Sequence, residues 1–435
     1  MKNSAVSVRN TYSQANVLIE RYKRIRRQSE TLCRPLQDED YSLQAMADVS
    51  PPKWHLAHTT WFFETLLLKE FSAHYKVYNL QYEFLFNSYY LSLGAPYPRD
   101  RRGLLSRPTI DEVIKYRRII DERVIELLAN SPADIPHPRL IERLELGLNH
   151  EQQHQELLLT DIKYNFFVNP LLPAYLDNDL TLATNTRRDA KPVNWIEFAR
   201  GIAHIGAITT QGFCFDNETP RHLTFLQRYA LADRPVNNGE YLKFIQEGGY
   251  QRAEFWLADG WQKKTAEGWN APLYWQQGEH KWEVYTLRGV RPLRAGDPVC
   301  HVSYYEADAF ARWAGARLPT EMEWERAAAA EKVEGHFVCD GVLQPRQSCQ
   351  DRVGLQQMFG DVWEWTASAY SAYPGFASPQ GAVGEYNGKF MCSQMVLRGG
   401  SCLSEREHIR LSYRNFFYPW TRWQVSGIRL AMSFQ

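Results

Sequence analysis

Two imidazoles four residues apart on a helix lie one above the other and can share a metal ion. The run His150-Glu151-Gln152-Gln153-His154 has that spacing. In HExxH sequences the same spacing serves zinc proteases, whose general base is the Glu beside the first His, and Glu151 stands in that place here. Taken alone, the pair is equally well read as surface or capping histidines. A second cluster, Trp54-His55-Leu56-Ala57-His58, shifts the balance. His55 and His58 are three apart and can face one side of a helix, so either can supply a third ligand. Three imidazoles leave positions open on an octahedral metal, as oxygen-activating iron requires.

Such side chains need rigid elements to hold them. The segments ANVLIERYKRIRRQSETL, SPPKWHLAHTTWFFETLL, TIDEVIKYRRIIDERVIELLA and PRLIERLELGLNHEQQHQELLLTDIKYNFF carry apolar residues at helical spacing. The third opens at Pro108-Thr109 with an acid two residues on, a start signal. Four helices predict a bundle over residues 1–170 with its site in the core. A stretch rich in Asn, Pro, Asp and Thr follows and is read as a linker at 171–190. From 191 to 435, short runs such as WIEFA, HLTFLQRYALA and HKWEVYTL alternate with turns, and one long helix, SYYEADAFARWAGA, is expected. The fold class is therefore α+β, a helical bundle followed by a loop-rich domain.

Bulk properties narrow the function. A chain of 435 residues, 44% apolar and 23% charged, is a globular protein of about two domains. Lys plus Arg and Asp plus Glu both number 50, so no bulk charge draws it to nucleic acid or a membrane surface. No window is long and apolar enough for a membrane span. The seven cysteines are odd in number and scattered without a CxxC pair, which argues against a disulfide framework or zinc–thiolate site. The N-terminus lacks an apolar h-region, so a cytoplasmic location is expected. Aromatic residues are 14% of the chain, enough to line pockets for apolar or cationic ligands.

Longer motifs carry a resemblance. SPPKWHLAHTTWFFET, FNSYYLSLG, RRGLLSRPT and NHEQQHQEL come first, followed by PVCHVSYYEADAFARWAGARLPTEMEWERAA, GDVWEWTASAY, EYNGKFM, VLRGGSC and YRNFFYPWTRWQVSGIRLA. Over nearly its whole length the chain resembles the ergothioneine-biosynthetic sulfoxide synthases. These join a DinB-like four-helix bundle to a C-type-lectin-like domain of the formylglycine-generating-enzyme (sulfatase-modifying-factor) type, which completes the substrate pocket. The resemblance implies Fe(2+) as cofactor, held by His58, His150 and His154, and so selects His58 over His55. It leaves Glu151 no catalytic role. True formylglycine-generating enzymes carry two cysteines shortly after RGGS; Ser404 and Ile409 stand there, so that activity is not expected, and Cys402 reads as a small buried hydrophobe.

The implied reaction couples cysteine to C2 of the imidazole of trimethylhistidine (hercynine), with O2, to give a sulfoxide. Gln153 is then a hydrogen-bond partner of the substrate imidazole, and Asn415 and Phe416 are contacts to trimethylhistidine, Phe416 through its ring face. Phe417 stands where users of γ-glutamylcysteine have an acid, which points to free cysteine. Asn87-Ser88-Tyr89-Tyr90 marks the cysteine-using branch; a phenol of Tyr89 or Tyr90 would supply a proton or hydrogen atom. If the two stand in a helix, they point about 100° apart and one faces the metal. Among the nearby arginines, Arg99 and Arg102 are the expected receptors for the cysteine carboxylate. The alternatives are a selenosugar as nucleophile, unmethylated histidine as acceptor (the ovothiol type), a DinB-type thiol transferase using zinc or nickel, and a lectin-like module with a structural metal. The sequence does not specify an oligomeric state.

Overall fold

All four helices expected in the first part of the chain form. The computed structural model describes residues 4–130, 138–176, 192–279, 281–348 and 353–434, with side chains from residue 15 on. The chain divides into two units. One runs to Val168 and takes in Gln380–Glu385; the other holds Asn169–Pro379 and the chain from Tyr386 on.

The first unit contains α1 (Ser4–Cys33), α2 (Pro52–Phe63), α3 (Lys69–Phe71), α4 (Leu80–Phe86), α5 (Ile110–Ala129) and α6 (Pro138–Phe167). Pro52 occupies the first position of α2, where its missing N–H costs nothing. Every residue of α2 is buried, because α1, α4, α5 and α6 all pack against it. A π-helical turn, Glu64–Leu68, carries α2 into α3; such turns recur near functional sites. At the start of α5, Thr109 Oγ1 accepts from the Glu112 N–H and Glu112 accepts from the Thr109 N–H, a capping box.

One carboxylate ties four helices. Glu151 of α6 is inaccessible to solvent. Arg26 Nη1 (2.6 Å), Ser29 Oγ (2.6 Å) and Arg117 Nη2 all donate to it. Arg26 also donates to Asp121 (2.7 Å) and Thr60 (2.9 Å), and Arg117 to Thr59 (3.2 Å). Burial raises the Glu151 pKa, but the Arg117 and Arg26 guanidiniums outweigh it and hold the carboxyl below its usual value. Glu151 is an ionised, saturated structural acid.

Among its described residues the second unit has four α-helices, not the one long helix expected: α7 (Asn238–Gln246), α8 (Ala258–Glu267), α9 (Tyr304–Trp313) and α10 (Glu321–Ala328). Asn237 with Glu240 and Thr320 with Glu323 form capping boxes that stabilise starts too short for periodicity to show. The polar sequence of α8, ADGWQKKTAE, hides its helix. Five small sheets stand beside the helices among the described residues. The largest orders its strands Asn415–Phe417, Met395–Arg398, Trp363–Ala369, Ser426–Gly427. Buried pairs such as Arg414–Glu321 and Arg429–Glu364 brace the loops between them. Ser404, Ile409 and Cys402 are all buried. Of the expected linker at 171–190, residues 177–190 lie outside the described residues. The backbone N–H groups of Tyr175 and Leu176 bond to Leu287 O within the second unit. No helix among the described residues is long and apolar enough to cross a membrane.

Glu151→Gln leaves two buried guanidiniums short of a counter-charge. It should destabilise the first unit by about 3–5 kcal/mol, the cost of breaking a buried ion pair on one side. Thermal melting followed by circular dichroism at the helical band reads this; an unchanged melting curve would show the cluster to be energetically idle.

Candidate metal centre

With Glu151 turned into the arginine cluster, the residue before it on α6 points elsewhere, and His154 lies one turn further along His150's side. His58 of α2 meets them. The ligand nitrogens of His58, His150 and His154 all lie within 4.8 Å of one another. His58 Nε2 and His150 Nε2 are 3.1 Å apart. Two imidazole nitrogens bound at right angles to one metal at about 2.1 Å would be about 3 Å apart, so the separation fits adjacent ligands. Without a metal, one shared proton is needed to reconcile the two facing nitrogens. Among the described residues no other group of three His, Cys, Asp or Glu side chains converges in this way. The pKa values of all three imidazoles are held well below the usual one, by burial first and then by the neighbouring histidines. The neutral imidazole is the form that binds a metal.

Each outer hydrogen bond aims a ligand. His58 Nδ1–H donates to Phe86 O at 2.6 Å, which leaves the Nε2 lone pair for a metal. His55, three residues earlier, is not in the group. Its Nε2 lies 3.0 Å from Asp161 Oδ2 and its Nδ1 lies 2.8 Å from His154 Nδ1. Because the carboxylate can only accept, His55 Nε2–H donates to Asp161; with His55 Nδ1 as acceptor of His154 Nδ1–H, His154 Nε2 is left for a metal. Asp161 Oδ2 is fixed in turn by the Ser50 N–H at 2.8 Å. Aromatic rings enclose the cluster: His58 is stacked between Trp54 (4.5 Å) and Trp61 (5.5 Å), and His150 lies on Phe62 (4.3 Å).

The other candidates are distributed as follows. Arg102 is buried, and its guanidinium lies 3.4 Å over the Trp54 ring whose stacking partner is His58. It donates to Ser50 Oγ (2.9 Å) and Ser88 Oγ (3.4 Å), and no ion pair among the described residues neutralises it. Burial, then Arg99, pushes its pKa well down. Arg99 is exposed and donates to Asp48 O. Tyr89 and Tyr90 do not stand in a helix: α4 ends at Phe86, with Asn87 as its C-cap. Their rings stack at 4.6 Å and 27°, so the two point the same way, not about 100° apart. Gln153 is partly exposed and sits three residues after His150 on the same side of α6. In the second unit, strand alternation puts Asn415 and Phe417 on one face and Phe416 on the other. The Phe416 ring is stacked on Tyr370 at 4.0 Å and 11°.

Comparison with known proteins agrees with this architecture. The profile of the sulfatase-modifying factor enzyme 1-like domain matches residues 194–352 and 342–434, and that of the DinB superfamily matches residues 21–158. A DinB-type helical unit and a sulfatase-modifying-factor domain in one chain, with three convergent imidazoles, define a class of metal-dependent oxidative enzymes. Hercynine oxygenase of Mycobacterium tuberculosis is 34% identical over 308 residues, which covers 65% of this chain and 70% of that protein. Hercynine oxygenase of Mycolicibacterium smegmatis is 30% identical over 341 residues, 73% of this chain and 76% of that one. The formylglycine-generating enzyme of Streptomyces coelicolor is 29% identical over 247 residues, 48% of this chain and 76% of its own. The chain belongs to the hercynine oxygenase family.

Sequence reasoning missed Asp161 and the acceptor role of His55. Asp161 was readable: it follows His154 by seven residues, two turns on one helical face. The carbonyl of Phe86 gives no sequence signal at all.

His58→Ala, His150→Ala and His154→Ala should each abolish nearly all binding of a divalent metal at the cluster. His55→Ala should weaken binding by about 10–100-fold, as loss of an outer hydrogen-bond partner does. Anaerobic titration with iron(II) and metal analysis separate these effects. His58→Ala that binds at wild-type affinity would remove it from the ligand set.

Proposed function

We propose that the protein is an iron(II)- and O2-dependent sulfoxide synthase of ergothioneine biosynthesis. It would couple the thiol of cysteine to C2 of the hercynine imidazole, giving hercynylcysteine sulfoxide. In balance, one C–S and one S–O bond form, the thiol and C2 hydrogens leave, and the second oxygen atom becomes water. The observation that carries the reading is the convergence of three buried imidazoles, two of them aimed by outer hydrogen bonds, on one point walled by Trp54, Trp61 and Phe62. Iron(II) held by His58, His150 and His154 would keep coordination positions open for O2 and substrate, which suits oxidative chemistry better than a closed structural site.

The chain's own residues supply the rest. Arg102 is a buried cation without a carboxylate partner among the described residues, one ring's thickness from His58. A substrate carboxylate would complete its fork, which favours a free amino acid. Arg99 would assist at the exposed rim. Gln153 would hydrogen-bond the hercynine imidazole from the side of α6 that bears His150 and His154. A phenol of Tyr89 or Tyr90 would deliver a proton during O2 reduction and so favour C–S coupling over oxidation of the thiol alone. Asn415 is proposed as a polar contact to hercynine, and apolar Phe417 as the reason a glutamyl arm is not favoured. Tyr370 takes one face of the Phe416 ring, so the contact proposed for Phe416 to the trimethylammonium group would use the opposite face.

The test is an aerobic assay of the iron(II)-loaded protein with hercynine, followed by mass spectrometry and oxygen uptake. Cysteine and γ-glutamylcysteine supplied together should give mainly the cysteine product. A selenosugar or unmethylated histidine should be a poorer partner. Turnover with zinc and no oxygen uptake would identify a thiol transferase instead.

Tyr89→Phe combined with Tyr90→Phe should retain iron and both substrates. The ratio of cysteine sulfinic acid to coupled sulfoxide should rise at least about tenfold, below the usual reach of a positioned acid. An unchanged ratio would take both phenols out of the reaction.

A further inference from the structure

Gln380–Glu385 belongs to the first unit although the chain on either side of it belongs to the second. At its end stands Glu385. Its Oε2 accepts the Leu91 N–H and its Oε1 accepts the Ser92 N–H, both at 2.9 Å. Leu91 directly follows Tyr90. On the other side of the turn, Asn87 Nδ2 donates to Tyr90 O (3.0 Å) and Gly94 O (3.1 Å), while Asn87 Oδ1 accepts the Tyr90 N–H (3.0 Å). Leu91 O accepts the Gly94 N–H at 3.2 Å, so every backbone polar group from Tyr90 N to Ser92 N is hydrogen-bonded.

Apolar packing does not set the path of the chain after Tyr90. Leu91 and Leu93 are 66% and 41% exposed. Gly94, with φ of +124°, closes the turn in a conformation that side chains resist. The clamp is therefore polar, and its outer half comes from a residue 294 positions away in sequence. A carboxylate suits two adjacent N–H groups because both oxygens accept and the charge strengthens both bonds. A glutamine offers one acceptor and turns an NH2 group toward the other N–H.

We propose that Glu385 is a positioning residue for the Tyr89–Tyr90 pair, holding the turn so that the phenols stand where the proton is required. The role rests on the proposed function. Its structural half, the clamp on Leu91 and Ser92, stands apart from it.

The experiment uses the full chain loaded with iron(II), as wild type, Glu385→Gln, Glu385→Ala and the double tyrosine variant. In both Glu385 variants bound iron should equal wild type. Amide hydrogen exchange in the peptide spanning residues 87–94 should accelerate about tenfold or more as the clamp is lost. The ratio of cysteine sulfinic acid to sulfoxide should rise on the order of tenfold, toward that of the double tyrosine variant, since small misplacements at a reacting centre are costly. Sulfoxide formed at the wild-type ratio in both variants overturns the Glu385 proposal and leaves the function intact. Unchanged exchange at residues 87–94 overturns the clamp itself. A wild type that forms no sulfoxide overturns the function and with it this role. Loss of iron and of helical circular dichroism in both variants would make Glu385 a general folding residue, which also overturns the proposal.

Discussion

A carboxylate sealed from water must meet its counter-charges, and Glu151 does so with Arg26 and Arg117. That requirement fixes the rotation of α6 about its axis. With Glu151 committed to the arginines, His150 must point about 100° away, and His154 follows it one turn on. The same guanidiniums reach Thr59 and Thr60 of α2, immediately after His58. One ionic cluster therefore sets the rotation of both helices that carry the imidazoles. Buried ion pairs are a poor source of net stability compared with apolar packing, but they discriminate strongly among registers. Here the register is what the metal centre needs.

Around the imidazoles the protein grades polarity over a short distance. Arg102, Trp54, His58 and Trp61 form a column of stacked planes, cation at one end and aromatic at the other. The rings keep water away and keep the imidazoles neutral. Asp161 sends negative charge inward through His55 to His154, which raises the basicity of that one ligand. His58, bonded to a neutral carbonyl, receives less. The three ligands are chemically alike but electronically unequal.

The helices and the metal group were legible because both write themselves into spacing. Periodic apolar residues gave the bundle, and the i, i+3 and i, i+4 histidines gave the cluster. Spacing alone left His55 and His58 equivalent; the family resemblance preferred His58, and the hydrogen bonds to Phe86 O and Asp161 supply a physical reason. The extra helices α7 and α10 were missed although Asn237/Glu240 and Thr320/Glu323 announce them, because their apolar runs span barely two turns. A helix would set the two tyrosines about 100° apart, but Asn87 ends α4 and captures Tyr90 at both its N–H and its carbonyl. Glu385 was beyond reach: nothing local in EYNGKFM tells that its first residue serves a turn almost three hundred residues earlier.

That distance has a temporal side. A ribosome completes α6 and then adds about 200 residues before Glu385 is made. At about 5–20 residues per second the helices wait on the order of ten seconds or more for that acid. The imidazoles of α2 and α6 can meet in the meantime, while the turn after Tyr90 still lacks its outer clamp. A nascent chain would thus reach metal-binding competence before its tyrosines are set. The arrival of Gln380–Glu385 would then report that most of the second unit has been synthesised.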